Sequence, residues 1–339
     1  LLALCLLACA GAQTLRIPVS DADRQWAEAE ANIIVDAVAS NDFKTAFLRT
    51  DGLCLRFPDA PHGYMMSVFA RSIYVNCYRT KTQRLKVLED AKRVEETTTR
   101  LLKLTPGDKN LKFYLGGALG YRGMLEMMEG SYFSALATGI KAVGALQDAV
   151  KTEPPIYDAY FGLAIFHFTR YVYSKILPWL AAGRDDQARA YEFLDRVLAH
   201  GNFCRHEALF RSFVFAMADR KWDGLEARML STVRRFPENI YLRYRLLDYY
   251  TTREQWTSVI PLARETHGLL SREPGSGVSA YFLVNAHLVN ALARMGERTQ
   301  AETLIRAMEQ DQGNLEPWVD NPRMLELLRR AKEVLRRSR

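Results

Sequence analysis

The stretch Trp222-Asp223-Gly224-Leu225-Glu226-Ala227-Arg228-Met229-Leu230-Ser231-Thr232-Val233-Arg234-Arg235-Phe236-Pro237-Glu238-Asn239 decides the fold. Trp222, Leu225, Met229 and Thr232 fall at helical spacing, so one mostly apolar stripe runs down a helix. Arg234 and Arg235 crowd its last turn, where cations suit the carbonyl end of the helix dipole, and Pro237 stops it. Phe43, Ala46, Thr50, Leu53 and Pro58 repeat the same offsets far upstream, and Trp256 lies 34 residues after Trp222. Pro58, Pro106 and Pro154 are spaced 48 apart, with Pro237 and Pro274 following. Each comes just after a basic residue, respectively Arg56, Lys103, Lys151, Arg235 and Arg272. Recurrence at a period of roughly 20–50 residues signals stacked structural units.

Outward from this stretch, helical periodicity fills the chain and no segment alternates as a strand does. The pattern predicts seven helical hairpins, at about 21–57, 60–105, 108–153, 156–200, 203–236, 239–271 and 277–313, with a terminal helix near 318–338. Each hairpin leaves an apolar face that its neighbour covers, so residues 13–339 are expected to form one helical-repeat domain. Ser174–Asp185 and Ser271–Gly277 read as loops within it.

An aromatic residue followed by small or apolar residues at these offsets and a terminal proline resembles the second helix of the tetratricopeptide repeat family. Phe236-Pro237-Glu238-Asn239 matches that family's junction, and Phe57-Pro58-Asp59-Ala60 matches it in part. Ser212, Phe213 and Thr232 depart from the family's small packing residues, and the N-terminal units are longer than its usual repeat. The resemblance implies an all-α, right-handed α-solenoid of about seven tetratricopeptide-like hairpins with a C-terminal capping helix. A second set of segments resembles an uncharacterised group of exported bacterial tetratricopeptide proteins and lipoproteins: Phe113 to Gly117, Tyr121-Arg122, Tyr157 to Leu163, Leu177-Pro178-Trp179 and Gly183-Arg184-Asp185. In general plan the chain is similar to lipoprotein scaffolds of outer-membrane protein assembly and to periplasmic T-components of TRAP transporters.

Composition agrees with a folded domain: 48% hydrophobic, 25% charged, with 20 Gly and 12 Pro among 339 residues. The net charge of +7 is concentrated. The last thirteen residues hold Arg329, Arg330, Lys332, Arg336, Arg337 and Arg339 against Glu333 alone, which leaves only +2 elsewhere. That reads as a solvated helix face favoured by its own dipole, and it argues against nucleic acid as a partner.

Leu1 to Ala12, LLALCLLACAGA, reads as the apolar and cleavage regions of an export signal. Leu6-Leu7-Ala8-Cys9 also resembles a bacterial lipobox, which would make Cys9 the lipidated residue. The expectation is a periplasm-facing outer-membrane lipoprotein, or a soluble periplasmic protein if Cys9 leaves with the signal. Cys54, Cys77 and Cys204 would then meet an oxidising compartment. Cys54 and Cys77 sit about 20 Å apart along successive predicted helices, too far for a bridge, so buried free thiols are expected.

Residues that could carry chemistry are few. His200-Gly201-Asn202-Phe203-Cys204-Arg205-His206 has metal-ligand residue types but falls on an interhelical turn, and a capping turn is the simpler reading. Glu126 with Glu129, and Asp185 with Asp186, have no nucleophile or histidine beside them in the pattern. No catalytic residue, cofactor or metal is expected, and the function read here is non-catalytic. The aromatic helix Tyr157–Tyr173 reads first as a buried central element. Its functional reading sets Tyr157, Tyr160, His167, Arg170 and Tyr171 on a concave wall, extended by Tyr114, Tyr121 and Arg122, for a protein or peptide partner. Ile176 to Leu180 would cover that wall or touch a membrane. A scaffold for an envelope complex is one expectation; a transport accessory holding a small ligand in an aromatic cavity is the other.

Overall fold

The computed structural model describes residues 20–151, 153–175, 184–316 and 321–337. The leader with Cys9, and Ile176 to Leu180, lie outside the described residues. Among the described residues the regular structure is helical, and fifteen α-helices pair as seven antiparallel hairpins with one closing helix. The hairpins are α1 (Asp21–Ala39) with α2 (Phe43–Arg56), α3 (Pro61–Tyr78) with α4 (Arg84–Leu104), α5 (Lys109–Met128) with α6 (Tyr132–Val150), and α7 (Ala159–Ser174) with α8 (Arg184–His200). They continue as α9 (Arg205–Ala218) with α10 (Leu225–Arg235), α11 (Ile240–Thr252) with α12 (Trp256–Leu270), and α13 (Val278–Arg294) with α14 (Arg298–Asp311), before α15 (Asn321–Arg337). This is the all-α solenoid implied by the tetratricopeptide resemblance.

Two turn designs recur along it. At three junctions between hairpins, the residue after the helix takes nearly one conformation: Phe57 (φ −126°, ψ 65°), Thr105 (φ −133°, ψ 72°) and Phe236 (φ −126°, ψ 69°). Its N–H still bonds back one turn, its carbonyl accepts from the residue three further on, and the proline sits between them. After two of them the next helix starts on a side-chain cap, with Asp108 accepting from the Asn110 N–H at 2.8 Å and Asn239 from the Leu242 N–H at 2.9 Å; after Phe57 it starts on Pro61 instead. Within hairpins the turn is a Schellman motif, with positive φ at Asn41, Gly130, Arg220, Glu254 and Gly296. The following N–H reaches a carbonyl five residues back, as in Ser131 to Glu126 and Lys221 to Ala216, both 2.8 Å. The prolines mark the first turn in the sequence; the second is hidden where Asn41, Arg220 and Glu254 stand in place of glycine.

Beyond nearest-neighbour stacking, the array closes on itself. Helix α1 touches α9, and α3 touches α11. Asn239 Nδ2 donates to the Ala39 carbonyl at 2.7 Å, Tyr244 Oη to the Cys77 carbonyl at 2.8 Å, and the Gly277 N–H to the Tyr78 carbonyl at 2.7 Å. Tyr74 Oη donates to Glu273 Oε1 at 2.8 Å, and Lys81 pairs with Glu316. Three first helices at this closure are therefore covered on the inside as well as by their neighbours: 14 of 18 residues are buried in α3, 10 of 13 in α11 and 13 of 17 in α13. One apolar core joins α1–α3 to α9–α15, and a second fills α6–α9.

Helix α15 caps the array. Asn290 Nδ2 on α13 donates to the Leu327 carbonyl at 2.7 Å. Arg323 reaches Asp248 Oδ1 of α11 at 2.8 Å. The basic residues of α15 are partly matched, with Arg329 and Arg330 on Glu326 and Lys332 on Glu309 of α14.

Candidate interaction surfaces

Helix α7 is half-buried or buried at every described side chain from Tyr157 to Ser174. Its polar tips point into the structure. Tyr160 is buried, and its hydroxyl accepts from Arg196 Nη1 of α8 at 2.9 Å. The Tyr157 ring packs on His200, with centroids 4.7 Å apart. His167 is buried with Nδ1 2.5 Å from Asp186 Oδ1, and Arg170 approaches the same oxygen at 3.5 Å. Tyr171 Oη donates to Asp219 Oδ1 at 3.1 Å, while Tyr191 Oη and Gln187 Nε2 donate to Oδ2 at 2.8 and 2.7 Å. These tyrosines satisfy buried polar groups and lock α7 to α8 and to the end of α9.

Tyr114, Tyr121 and Arg122 lie on α5, which touches α7. Tyr114 and Tyr121 pack against the large core, Tyr121 with its ring 6.0 Å from Phe69. Arg122 is held by Glu126 Oε1 at 2.9 Å and approaches Glu95 Oε2 at 3.5 Å. Burial raises the phenols of both tyrosines, Tyr114 to about 12.

Tyr121 opens onto an interior polar cluster that sequence spacing alone does not assemble. Glu207 and Arg211 of α9 act on its hydroxyl. Arg211 and Arg245 lie over the Tyr241 ring at 5.5 and 5.1 Å. The Tyr241 hydroxyl and Arg211 Nε are buried without a hydrogen-bond partner. Burial raises the Glu207 carboxyl above its ordinary value, and Arg211, one turn on, offsets this only in part. An acid raised by folding loses its proton first in the unfolded chain, so the penalty starts at the unfolded pKa and is complete above the folded one. Glu207→Gln is accordingly expected to raise the urea midpoint at pH 8 and to leave it unchanged at pH 3. Equal midpoints at pH 8 would show Glu207 to be solvated.

Cysteine chemistry is suppressed. Cys54, Cys77 and Cys204 are free, and burial pushes the thiols of Cys54 and Cys77 up to about 12 and that of Cys204 well above its usual value. The histidine-cysteine segment is a capping turn: Asp158 accepts from the Cys204 N–H at 2.7 Å and the Asn202 N–H at 3.2 Å. His200 faces Tyr157, whereas His206 Nε2 meets Asp36 Oδ1 at 3.1 Å, so the two imidazoles serve different partners. Among the described residues no group of three or more His, Cys, Asp or Glu is placed to hold a metal ion, and no helix is long and apolar enough to cross a membrane.

Helix α6 carries a surface that the sequence reading did not single out. Tyr132, Phe133, Leu136 and Ile140 are 62%, 92%, 56% and 60% exposed. Their spacing puts them on one outward side, and the signal was legible in Tyr132–Val150, which holds only Lys141 and Asp148 as charges.

No family model and no curated protein matches the chain. Among solved structures it is similar to a tetratricopeptide repeat protein from Parabacteroides merdae, at 13% identity over 91% of this chain and 99% of that one, with a TM-score of 0.44. It is also similar to yeast Tom70, at 12% identity over 82% of this chain and 64% of that one, with a TM-score of 0.38.

Proposed function

We propose that this protein is a non-catalytic interaction protein of the bacterial envelope, exported and tethered through Cys9, that organises partner proteins through its outer surface. The observation that carries this reading is the closure between the first and last hairpins. Four hydrogen bonds, from Tyr74, Asn239, Tyr244 and Gly277, join helices that an open solenoid would leave apart. Surface that a repeat array commonly presents as a concave groove is spent on internal packing here. The inward commitments of Tyr160, His167 and Tyr171 point the same way. Partner proteins then meet the second helices of the hairpins and the connecting turns.

Affinity isolation of the full-length chain from gently solubilised envelopes tests this. A stoichiometric partner that exchanges its contacts when outward-facing residues are substituted, and ignores Tyr171→Phe, is the expected result. Recovery of the chain alone from the soluble fraction would overturn it.

One observation favours a second reading, a small polar ligand held inside. The unpartnered Tyr241 hydroxyl and Arg211 Nε, with Glu207 and Tyr121 near them, are groups that a bound anion or amide would satisfy. Native mass spectrometry decides it. A bound small molecule lost in Arg211→Ala supports this reading, and an unliganded mass refutes it.

A further inference from the structure

We propose that the outer face of α6 is a lipid-contact ridge, which seats the protein on an anionic bilayer surface independently of any tether at Cys9. The other outer helices provide the comparison within the same molecule. The outward residues of α4 include Lys92, Arg93, Glu96 and Arg100, and those of α14 include Gln300, Thr303, Arg306 and Glu309. Water explains both faces. At the corresponding place α6 presents Tyr132, Phe133, Leu136, Ala137 and Ile140, with exposed Gly144 continuing the line.

At these exposures the four large side chains present on the order of 500 Å² of mostly apolar surface. That is near the upper end for the largest patch of an ordinary monomer, and well short of the roughly 800 Å² per partner of a stable protein interface. The shape also disfavours a protein pocket as the reader. Helix α6 packs chiefly on α5 and α7, so the stripe stands out as a ridge, with the Phe133 ring almost wholly free. Leu85, 68% exposed, stands at the start of α4, which the Arg84–Glu129 pair holds beside the turn into α6.

Charge selects the bilayer. The stripe carries no carboxylate, and exposed Lys141 flanks it. The one acid of the helix, Asp148, is held between Lys151 at 3.0 Å and Lys112 at 3.6 Å. Aromatic and aliphatic side chains bordered by lysines, on a helix lying along the surface, are the composition of an interfacial helix. Lys141 beside the stripe, with Lys112 and Lys151 around Asp148, puts the nearby cations where anionic headgroups would meet them.

The test is co-sedimentation of the full chain with vesicles of phosphatidylcholine alone or mixed with phosphatidylglycerol, using Cys9→Ser in every arm so that acylation contributes nothing. The expected result is binding to the mixed vesicles that falls about tenfold or more in Phe133→Asp/Leu136→Gln/Ile140→Gln. Leu48→Gln/Leu55→Gln, which removes two leucines 70% and 79% exposed on α2, should leave binding unchanged. All five positions are exposed, and circular dichroism checks that each variant keeps its helix content. Binding that is absent, or indifferent to the α6 substitutions, overturns the proposal. So does a dimer in sedimentation equilibrium that dissolves in the α6 variant, which would assign the ridge to a second copy, or a purified partner protein that masks it.

Discussion

Asp248→Ala is expected to lower the unfolding free energy by about 3–5 kcal/mol, read as a large drop in the urea midpoint and as early proteolytic release of α15. Asp248 is 4% exposed on α11 and holds three cations or donors. Arg245 Nη1 lies at 3.1 Å, Arg323 Nη2 of α15 at 2.8 Å and His287 Nε2 of α13 at 3.4 Å. Burial alone would raise this carboxyl; the attraction of Arg245 and Arg323 and the His287 hydrogen bond outweigh it and hold it well below the usual range. Removing the carboxylate takes away the anion that offsets the desolvation of Arg245 and accepts from His287. Arg323→Ala should cost clearly less, because that side chain is 49% exposed and water replaces its partner.

The same network fixes a pH response. Burial lowers the pKa of His287, with Asp248 opposing, so the ring is neutral in the fold. Its Nε2–H donates towards Asp248, and Nδ1 accepts from Thr251 Oγ1 at 2.7 Å. A histidine with a depressed folded pKa weakens the fold as pH drops below the unfolded value of about 6.5. An aspartate with a depressed folded pKa contributes stability above its unfolded value of about 3.9, and that is lost on further acidification. Acid unfolding should therefore begin at the α15 cap, in two steps, and Asp248→Ala should remove the lower one.

Gly277→Ala is the second large effect, expected at about 2–4 kcal/mol. Gly277 has φ −78° and ψ 155°, which any residue adopts, so its requirement is space. An added Cβ would fall on the Arg79 carbonyl oxygen, 2.9 Å from the Arg79 carbonyl carbon and 3.3 Å from the Tyr78 oxygen. The start of α13 would have to leave the end of α3, taking with it the 2.7 Å bond from the Gly277 N–H to Tyr78. Amide exchange should rise at Gly277 and throughout the α3–α11 contact. Gly268→Ala, on the exposed side of α12 with nothing within 4 Å of its Cβ, is the matched control and should stabilise by about 0.5–1 kcal/mol. Equal stability of the two variants would mean that the closure contributes nothing.

The sequence by itself determined the helices, their pairing and their order. Apolar residues at helical spacing and prolines after basic last turns are local signals, written in residues a turn or two apart, and the hairpin limits read from them agree with α1–α15 to within a few residues. The turn after Phe57, Thr105 and Phe236 is legible for the same reason. Tertiary structure alone decided what the inner helices face. Tyr244 and Cys77 are 167 residues apart, and Asn239 and Ala39 are 200 apart. Periodicity shows that α3 and α11 are helices with apolar residues to bury, and it does not say which distant helix covers them. The tyrosines of α7 illustrate the same limit, because a stripe bound for a partner and a stripe that satisfies Asp219 have one spacing. Whether an apolar side is buried or open depends on the curvature summed over all seven hairpins. Small rotations at each turn accumulate until the first hairpins meet the last, and no single segment of the sequence encodes that sum.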